Sequence, residues 1–336
     1  MKFLPTFSMG KTKLNFPTLL IFCFLLFLFA AVLSLLLGSA SLTLAELLHA
    51  DDSVRRILLH VRLPRTLAAA LAGMALAVSG AIIQTVMGNP LAGPNLIGVN
   101  AGAGLAAVLC TAFLPAVPGL MATGAFLGAL GALFLIYSVA KATGASRTTL
   151  ILSGIAVSSI LSAGIDAVVT LVPDALMGIS AFRIGSLQSV AMNRLPFPAF
   201  YILLAFVLSF SVCNELDVLS LGDDTARSLG LNTGKYRFLL LLAASMLAGS
   251  AVSFCGLLGF VGLIVPHAAR FFTGNESKKL LSISALLGGA FVMLCDVLAR
   301  VLFAPYEIPV GIVMSFLGGP FFLWLLIRRK GGRRHD

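Results

Sequence analysis

The chain has 336 residues, of which 59% are hydrophobic and only 11% charged, and its mean hydropathy is +1.04. Soluble domains carry charge on about a quarter of their residues, so composition excludes a soluble enzyme or a solvated binding module. The formal net charge of +10 lies scattered between apolar runs rather than on one face, which argues against nucleic-acid binding and for membrane topology and anionic lipid headgroups.

In chain order, the first apolar run extends from Leu14 to Ala45 behind Lys2, Lys11 and Lys13. It is too long for the apolar core of a secretory signal, and more spans follow, so it reads as an uncleaved first helix. Gly10-Lys11-Thr12 resembles the end of a phosphate-binding loop, but Pro5 stands where the leading glycine belongs and no strand precedes it. Between Thr66 and Ala140 there is no Asp, Glu, Lys or Arg. A crossing needs roughly 20 residues, so this stretch holds three, separated by turns at Gly88 to Asn95 and Pro115 to Gly119. Within it, Gly102, Gly104 and Ala107 imitate a dinucleotide fingerprint, but small residues in an uncharged span serve close helix packing.

Further spans are expected over Thr148 to Ile165, Leu195 to Asn214, Phe238 to Pro266, Leu280 to Cys295 and Ile308 to Ile327. The Gly-rich break Cys255 to Gly262 suggests that the third of these, Phe238 to Pro266, turns and re-enters as a short helix. The expectation is an all-α polytopic membrane protein with about ten transmembrane helices. It forms a single transmembrane domain over 1–336, with an embedded core at 14–330 and cytoplasmic tails at 1–13 and 331–336. With both ends inside, most Lys and Arg fall on cytoplasmic segments, as the positive-inside rule requires. The outward remainder is Arg55, Arg56, Arg62, Arg65, Arg183, Arg194 and Arg300.

Cys23, Cys110, Cys213, Cys255 and Cys295 sit in or beside apolar runs without C-x-x-C spacing, and His49, His60, His267 and His335 are not clustered. Neither set has metal-ligand spacing, and no cofactor is implied. No ATPase motif survives, so ATP-driven work would need a separate subunit.

Polar residues inside this apolar chain carry the functional signal. Arg62 and Arg65 flank Pro64 before the second helix, and Arg300 belongs near the same end, with Asp296 one helical turn earlier. They read either as interfacial anchors or as a basic rim that accepts a partner's carboxylates, since guanidinium forks match them bidentately. On the cytoplasmic side, Asp223 can cap a short helix from Asp224 to Leu229, closed by Gly230, with Leu221, Ala226 and Leu229 as an apolar contact. Such a helix is either a solvated loop or a shape for a partner's groove, and the second reading is favoured.

Several ordered motifs then resemble the FecCD-type permeases of bacterial ABC importers: Arg62-Leu63-Pro64-Arg65-Thr66; Ser79-Gly80 with Gln84; Asn89-Pro90-Leu91-Ala92 with Pro94 and Gly98; Leu221-Gly222 with Ala226 and Leu229-Gly230; Gly259-Phe260-Val261-Gly262-Leu263 to Pro266-His267 with Arg270; and Asp296 with Ala299-Arg300. The resemblance runs from about Arg56 to Arg328.

It implies ten helices per subunit and a pair of permeases, identical or paralogous, around a central pathway. Two copies of a cytoplasmic ATPase and an extracytoplasmic binding protein complete the assembly, in a bacterial inner membrane. By the same resemblance, Arg62, Arg65 and Arg300 receive acidic residues of the binding protein. Leu221, Gly222, Asp223, Asp224, Ala226, Arg227, Leu229 and Gly230 form the ATPase contact, assisted by Arg270. Asn89 and Leu91 match an inner gate and Ser146 a second gate position, where Ala145 replaces a hydroxyl residue of the vitamin B12 permease. Family frequency makes an iron-siderophore the expected cargo, with haem and vitamin B12 as alternatives.

An ion-coupled secondary transporter is the competing class. It would keep ionisable residues near mid-membrane, whereas Asp166, Asp296 and Glu307 fall towards the outer ends of spans.

Overall fold

A computed structural model describes residues 15–38, 52–114, 117, 119–144 and 146–331. The Gly10-Lys11-Thr12 tripeptide, His49, Ala145, His335 and the two tails up to residue 13 and from residue 332 lie outside the described residues.

Among the described residues every regular element is helical. Helix α1 (Phe16–Leu36) comes first. A short helix at Asp52–Ile57 and a π-turn at Leu58–Arg62 then run without a break into α2 (Leu63–Met87). The π-turn has a local cause: Pro64, in the first turn of α2, has no N–H to offer the carbonyl four residues back, so the ladder widens there. Next are α3 (Val99–Phe113), α4 (Leu120–Ala142), α5 (Arg147–Leu171) and α6 (Asp174–Ile184). They are followed by α7 (Pro196–Ser211), α8 (Cys213–Ser220) and α9 (Asp223–Ser228). The chain closes with α10 (Thr233–Cys255), α11 (Val261–Thr273), α12 (Ser277–Val301) and α13 (Val310–Gly331).

Six of these helices are long and apolar enough to cross a membrane, and α7 with α8, bent by 59°, makes a seventh. Two shorter apolar helices, Val99–Phe113 and Val310–Trp324, and the re-entrant α11 bring the embedded segments to the expected number. The turns fall where the Gly/Pro clusters put them, after Met87, after Phe113 and between Cys255 and Val261. Two features depart from the reading of the sequence. Residues 174–184 form a separate short helix, α6, behind Pro173, and the span expected over Leu195 to Asn214 bends at Val212.

Lipid tails are as apolar as leucine, so helix association in a bilayer rests on close packing and hydrogen bonds rather than on hydrophobic burial. The most enclosed helices are α2, α10 and α12; an 18-residue window of α2 is 83% buried, against 17% for α5. Glycines make the closest crossings. A Cβ on Gly73 would lie 2.1 Å from the Gly288 carbonyl oxygen of α12, and one on Gly102 would lie 2.2 Å from that of Gly128 in α4. Gly102 and Ala107 therefore serve packing, as their uncharged setting implied. Polar glue adds to this: Ser79 Oγ donates to the Ala244 carbonyl of α10 at 2.7 Å, and Tyr137 Oη donates to the Gly234 carbonyl at 3.0 Å.

The helix α2 fixes the distance between the two functional ends. Its 25 residues, at 1.5 Å each, make it about 37 Å long, with Arg62 just before it and the Asn89 turn just after it.

Candidate functional site

At one end of α2, Arg62, Arg65 and Arg300 come together, but as a buried network rather than an open rim. Arg65 Nε donates to both oxygens of Asp296 at 3.0 Å, and its Nη1 meets Glu307 Oε2 at 2.6 Å. Arg300 Nε lies 3.1 Å from Oδ2 of the same Asp296, while its Nη atoms donate to the Ser34 carbonyl and hydroxyl. Arg62 Nη1 donates to the Leu35 and Leu36 carbonyls at the end of α1.

These contacts follow from helix physics. The last carbonyls of α1 lack intrahelical partners, and a guanidinium satisfies them while complementing the helix dipole. Asp296 is 0% and Arg300 2% exposed, so the charges neutralise one another out of water. The turn-to-turn pairing of Asp296 with Arg300 was legible in the sequence. The stronger grip of Arg65 across 231 residues was not. Of the seven arginines expected on the outward side, Arg55, Arg56, Arg183 and Arg194 are exposed.

The opposite end carries α9. Gly222 precedes it at φ 109° and Gly230 follows at φ 83°, conformations that favour glycine and turn the chain sharply on both sides. The helix begins at Asp223 itself, with Gly222 at the N-cap and no side-chain cap, so the expected capping role of Asp223 is not what forms. Its carboxylate instead pairs with Arg237 of α10 at 2.5 Å and Arg147 of α5 at 3.3 Å. Arg147 also donates to the Leu219 carbonyl at 2.6 Å. The apolar stripe divides: Ala226 is buried against the body, while Leu221 and Leu229 stand 61% and 63% exposed. Asp224 and Arg227 are also exposed. The result is a short helix braced to two long helices through one carboxylate, with two leucines presented outward.

Asn89 Oδ1 accepts from the Leu91 N–H at 3.0 Å, an Asx turn that holds the chain after α2. Leu91 and Pro90 line a narrow cleft with Phe260, Leu263, His267 and Phe321. Arg270 reaches from α11 back to α2, with Nη2 donating to Thr85 Oγ1 at 3.1 Å, and Gln84 Nε2 donates to the Gly262 carbonyl at 3.0 Å. Arg270 thus ties the re-entrant helix to the last turn of α2. Ser146 is the N-cap of α5 and accepts from the Thr149 N–H at 3.1 Å.

One feature went unnoticed in the sequence. Along α5, Ile155, Ser158, Ser159, Ser162, Ala163 and Asp166 line an open groove of about 520 Å³ with Asn95 and Leu96. Serines at these spacings were readable, but nothing in the sequence showed that no described helix covers them.

Among the described residues, no cluster of three His, Cys, Asp or Glu side chains could hold a metal ion.

Comparison with known proteins agrees with this architecture. The model of the FecCD transport family matches residues 25–328. The chain is 36% identical over 321 residues to the hemin transport system permease protein HmuU of Yersinia pestis, covering 93% of this chain and 96% of the relative. It is 39% identical over 319 residues to the Fe(3+)-citrate import system permease protein YfmD of Bacillus subtilis, covering 93% and 94%. A solved inward-facing conformation of an ABC transporter of metal-chelate type superposes with a TM-score of 0.85 at 30% identity, over 93% of this chain and 99% of that one. A multi-pass helical membrane protein matched over nearly its whole length in these ways belongs to the FecCD transport family.

Proposed function

We propose that the chain is the permease subunit of an ATP-driven importer of iron chelates, with a siderophore complex as the leading cargo. Haem and vitamin B12 are the alternatives within the same family. The single observation that carries the coupling part of this reading is α9. A helix flanked by two exposed leucines, while its first carboxylate is clamped to α5 and α10, has the form of a lever for a soluble partner. The chain works as one domain, supplies half of the pathway opposite a second permease, and leaves ATP hydrolysis to two copies of a separate ATPase. Residues 221–230 and Arg270 belong to that coupling, the Asn89–Leu91 turn and Ser146 to the inner gates. Both termini lie in the cytoplasm of a bacterium, and the membrane is the inner one. The relatives that transport hemin and Fe(3+)-citrate support the iron-chelate cargo.

The network at the other end adds detail to docking of the extracytoplasmic binding protein. Arg65 has one partner, Glu307, that is about a quarter exposed, so an incoming carboxylate exchanges with it there. Arg62 and Arg300 hold the surface in shape, and the exposed Arg55 and Arg56 extend it as first contacts.

The test is uptake into proteoliposomes holding the permease, its ATPase and its binding protein. Uptake is expected to stop with vanadate or without either partner, and to fall roughly tenfold when Arg55 and Arg56 are both changed to Glu. Uptake by the chain alone, driven by a proton or sodium gradient, would establish a secondary transporter instead.

A further inference from the structure

The carboxylate of Asp166 has no counterpart in the contacts described so far. Asp296, Glu307 and Asp223 each lie within 3.3 Å of an arginine nitrogen. Asp166 makes no ion pair among the described residues, although it sits in a span-length helix. It is exposed, 19 residues beyond Arg147, which places it about 28 Å from the inner end of α5. Ser159, Ser162 and Asp166 follow one another at three and four residues, so they form one stripe along the helix. Ser158 flanks that stripe, and its Oγ is shielded without a hydrogen-bond partner. Exposed apolar side chains of α5, Ile160 and Leu171, fall on the side of the helix away from the stripe and suit lipid.

A stripe of hydroxyls ending in an unpaired carboxylate is not stable against hydrocarbon, and ionisable side chains in spans face a protein interior or a water-filled cavity. No described helix covers the groove, and for a chain that is half of a pathway the uncovered side belongs to a second permease and the space between to water. A charged group on a low-dielectric wall focuses its field into the water between, raising the local concentration of opposite charge.

We propose that Asp166 is a specificity-determining residue, whose carboxylate makes the outer part of the pathway favour neutral or cationic metal chelates over anionic ones. The hydroxyls below it exchange hydrogen bonds with the polar periphery of such a chelate as it passes. This inference rests on the reading of the chain as half of a translocation pathway.

The test reads the field directly and needs neither cargo nor ATP. In the assembled transporter, Cys110→Ser removes the partly exposed native thiol, the other four cysteines being buried. Ser162→Cys then places a reporter one turn from Asp166, and Ile160→Cys serves as the lipid-facing control. Cationic and anionic methanethiosulfonates of matched size are applied to both faces of the membrane. Ser162→Cys is expected to react while Ile160→Cys does not, and Asp166→Asn is expected to lower the cation-to-anion rate ratio about fivefold. If Ser162→Cys fails to assemble, Ser159→Cys on the same stripe replaces it. A reporter as silent as Ile160→Cys, or a ratio unchanged by Asp166→Asn, overturns the proposal. Loss of ATP dependence in the uptake assay would leave these labelling results untouched, so the two readings fail separately.

Discussion

Replacing Asp296 with Ala is expected to deplete the folded permease from the membrane. Asp296 is fully buried and neutralises two guanidiniums at once, Arg65 at 3.0 Å and Arg300 at 3.1 Å. Removing one partner of a buried ion pair costs about 3–5 kcal/mol, because the remaining charge has nowhere to go. Here Arg300 is left with Ser34 and Arg65 with Glu307, two guanidiniums against one remaining carboxylate, and whole proteins are stable by only about 5–15 kcal/mol. The damage is not local either, since Arg300 also holds Ser34 of α1 and Ser34 Oγ meets Thr66 Oγ1 at 2.8 Å. Detergent-solubilised protein followed by size exclusion and thermal unfolding measures the effect. Replacing Asp296, Arg65 and Arg300 together by apolar residues of similar volume is expected to be less harmful than Asp296→Ala alone. That ordering identifies stranded charge, rather than lost volume, as the cause.

The second large effect belongs to α9. Leu221→Asp combined with Leu229→Asp is expected to lower ATP-driven uptake about 30-fold or more while leaving the amount and melting temperature of the permease unchanged. The two leucines are more exposed than buried, so they contribute little to the fold of the free chain. A leucine pair filling a partner's groove has the character of an interface hot spot, where truncation costs at least about 2 kcal/mol. Placing a carboxylate in such a groove adds a desolvation cost. Asp223→Asn is expected to act differently. It weakens the clamp to Arg147 and Arg237 without touching the outward surface, so the ATPase still binds but its strokes are transmitted less fully. Association of the ATPase and uptake, measured on the same preparations, separate the two variants.

Much of this architecture was legible in the sequence because bilayers impose few solutions. The uncharged stretch after Thr66 holds three helices, and the turns after Met87 and after Phe113 and the break after Cys255 fall where the Gly/Pro clusters put them. The re-entrant α11 was legible too, since its Gly-rich approach precludes a continuous helix. What stayed hidden depends on partners far along the chain. The sequence placed Arg62, Arg65 and Arg300 at one end of the molecule, but not their burial, which arises from Asp296, Glu307 and the α1 carbonyls converging on them. Asp223 was read as a cap because capping is a local rule, whereas its actual partners are 14 and 76 residues away in the chain. The polar stripe of α5 was visible as letters, yet its meaning required knowing which helix faces are left bare. Helix α6 escaped because eleven residues between Pro173 and Gly185 look like a loop when judged by span length.

The account depends on energy entering through α9 from the cytoplasmic side. The most direct measurement is side-specific labelling of Leu229→Cys with a membrane-impermeant thiol reagent, in vesicles of known orientation, with and without the ATPase subunit. Labelling only from the cytoplasmic face, and protection when the ATPase is bound, is the predicted result. Labelling from the extracytoplasmic face, or full reactivity in the presence of the bound ATPase, would contradict it.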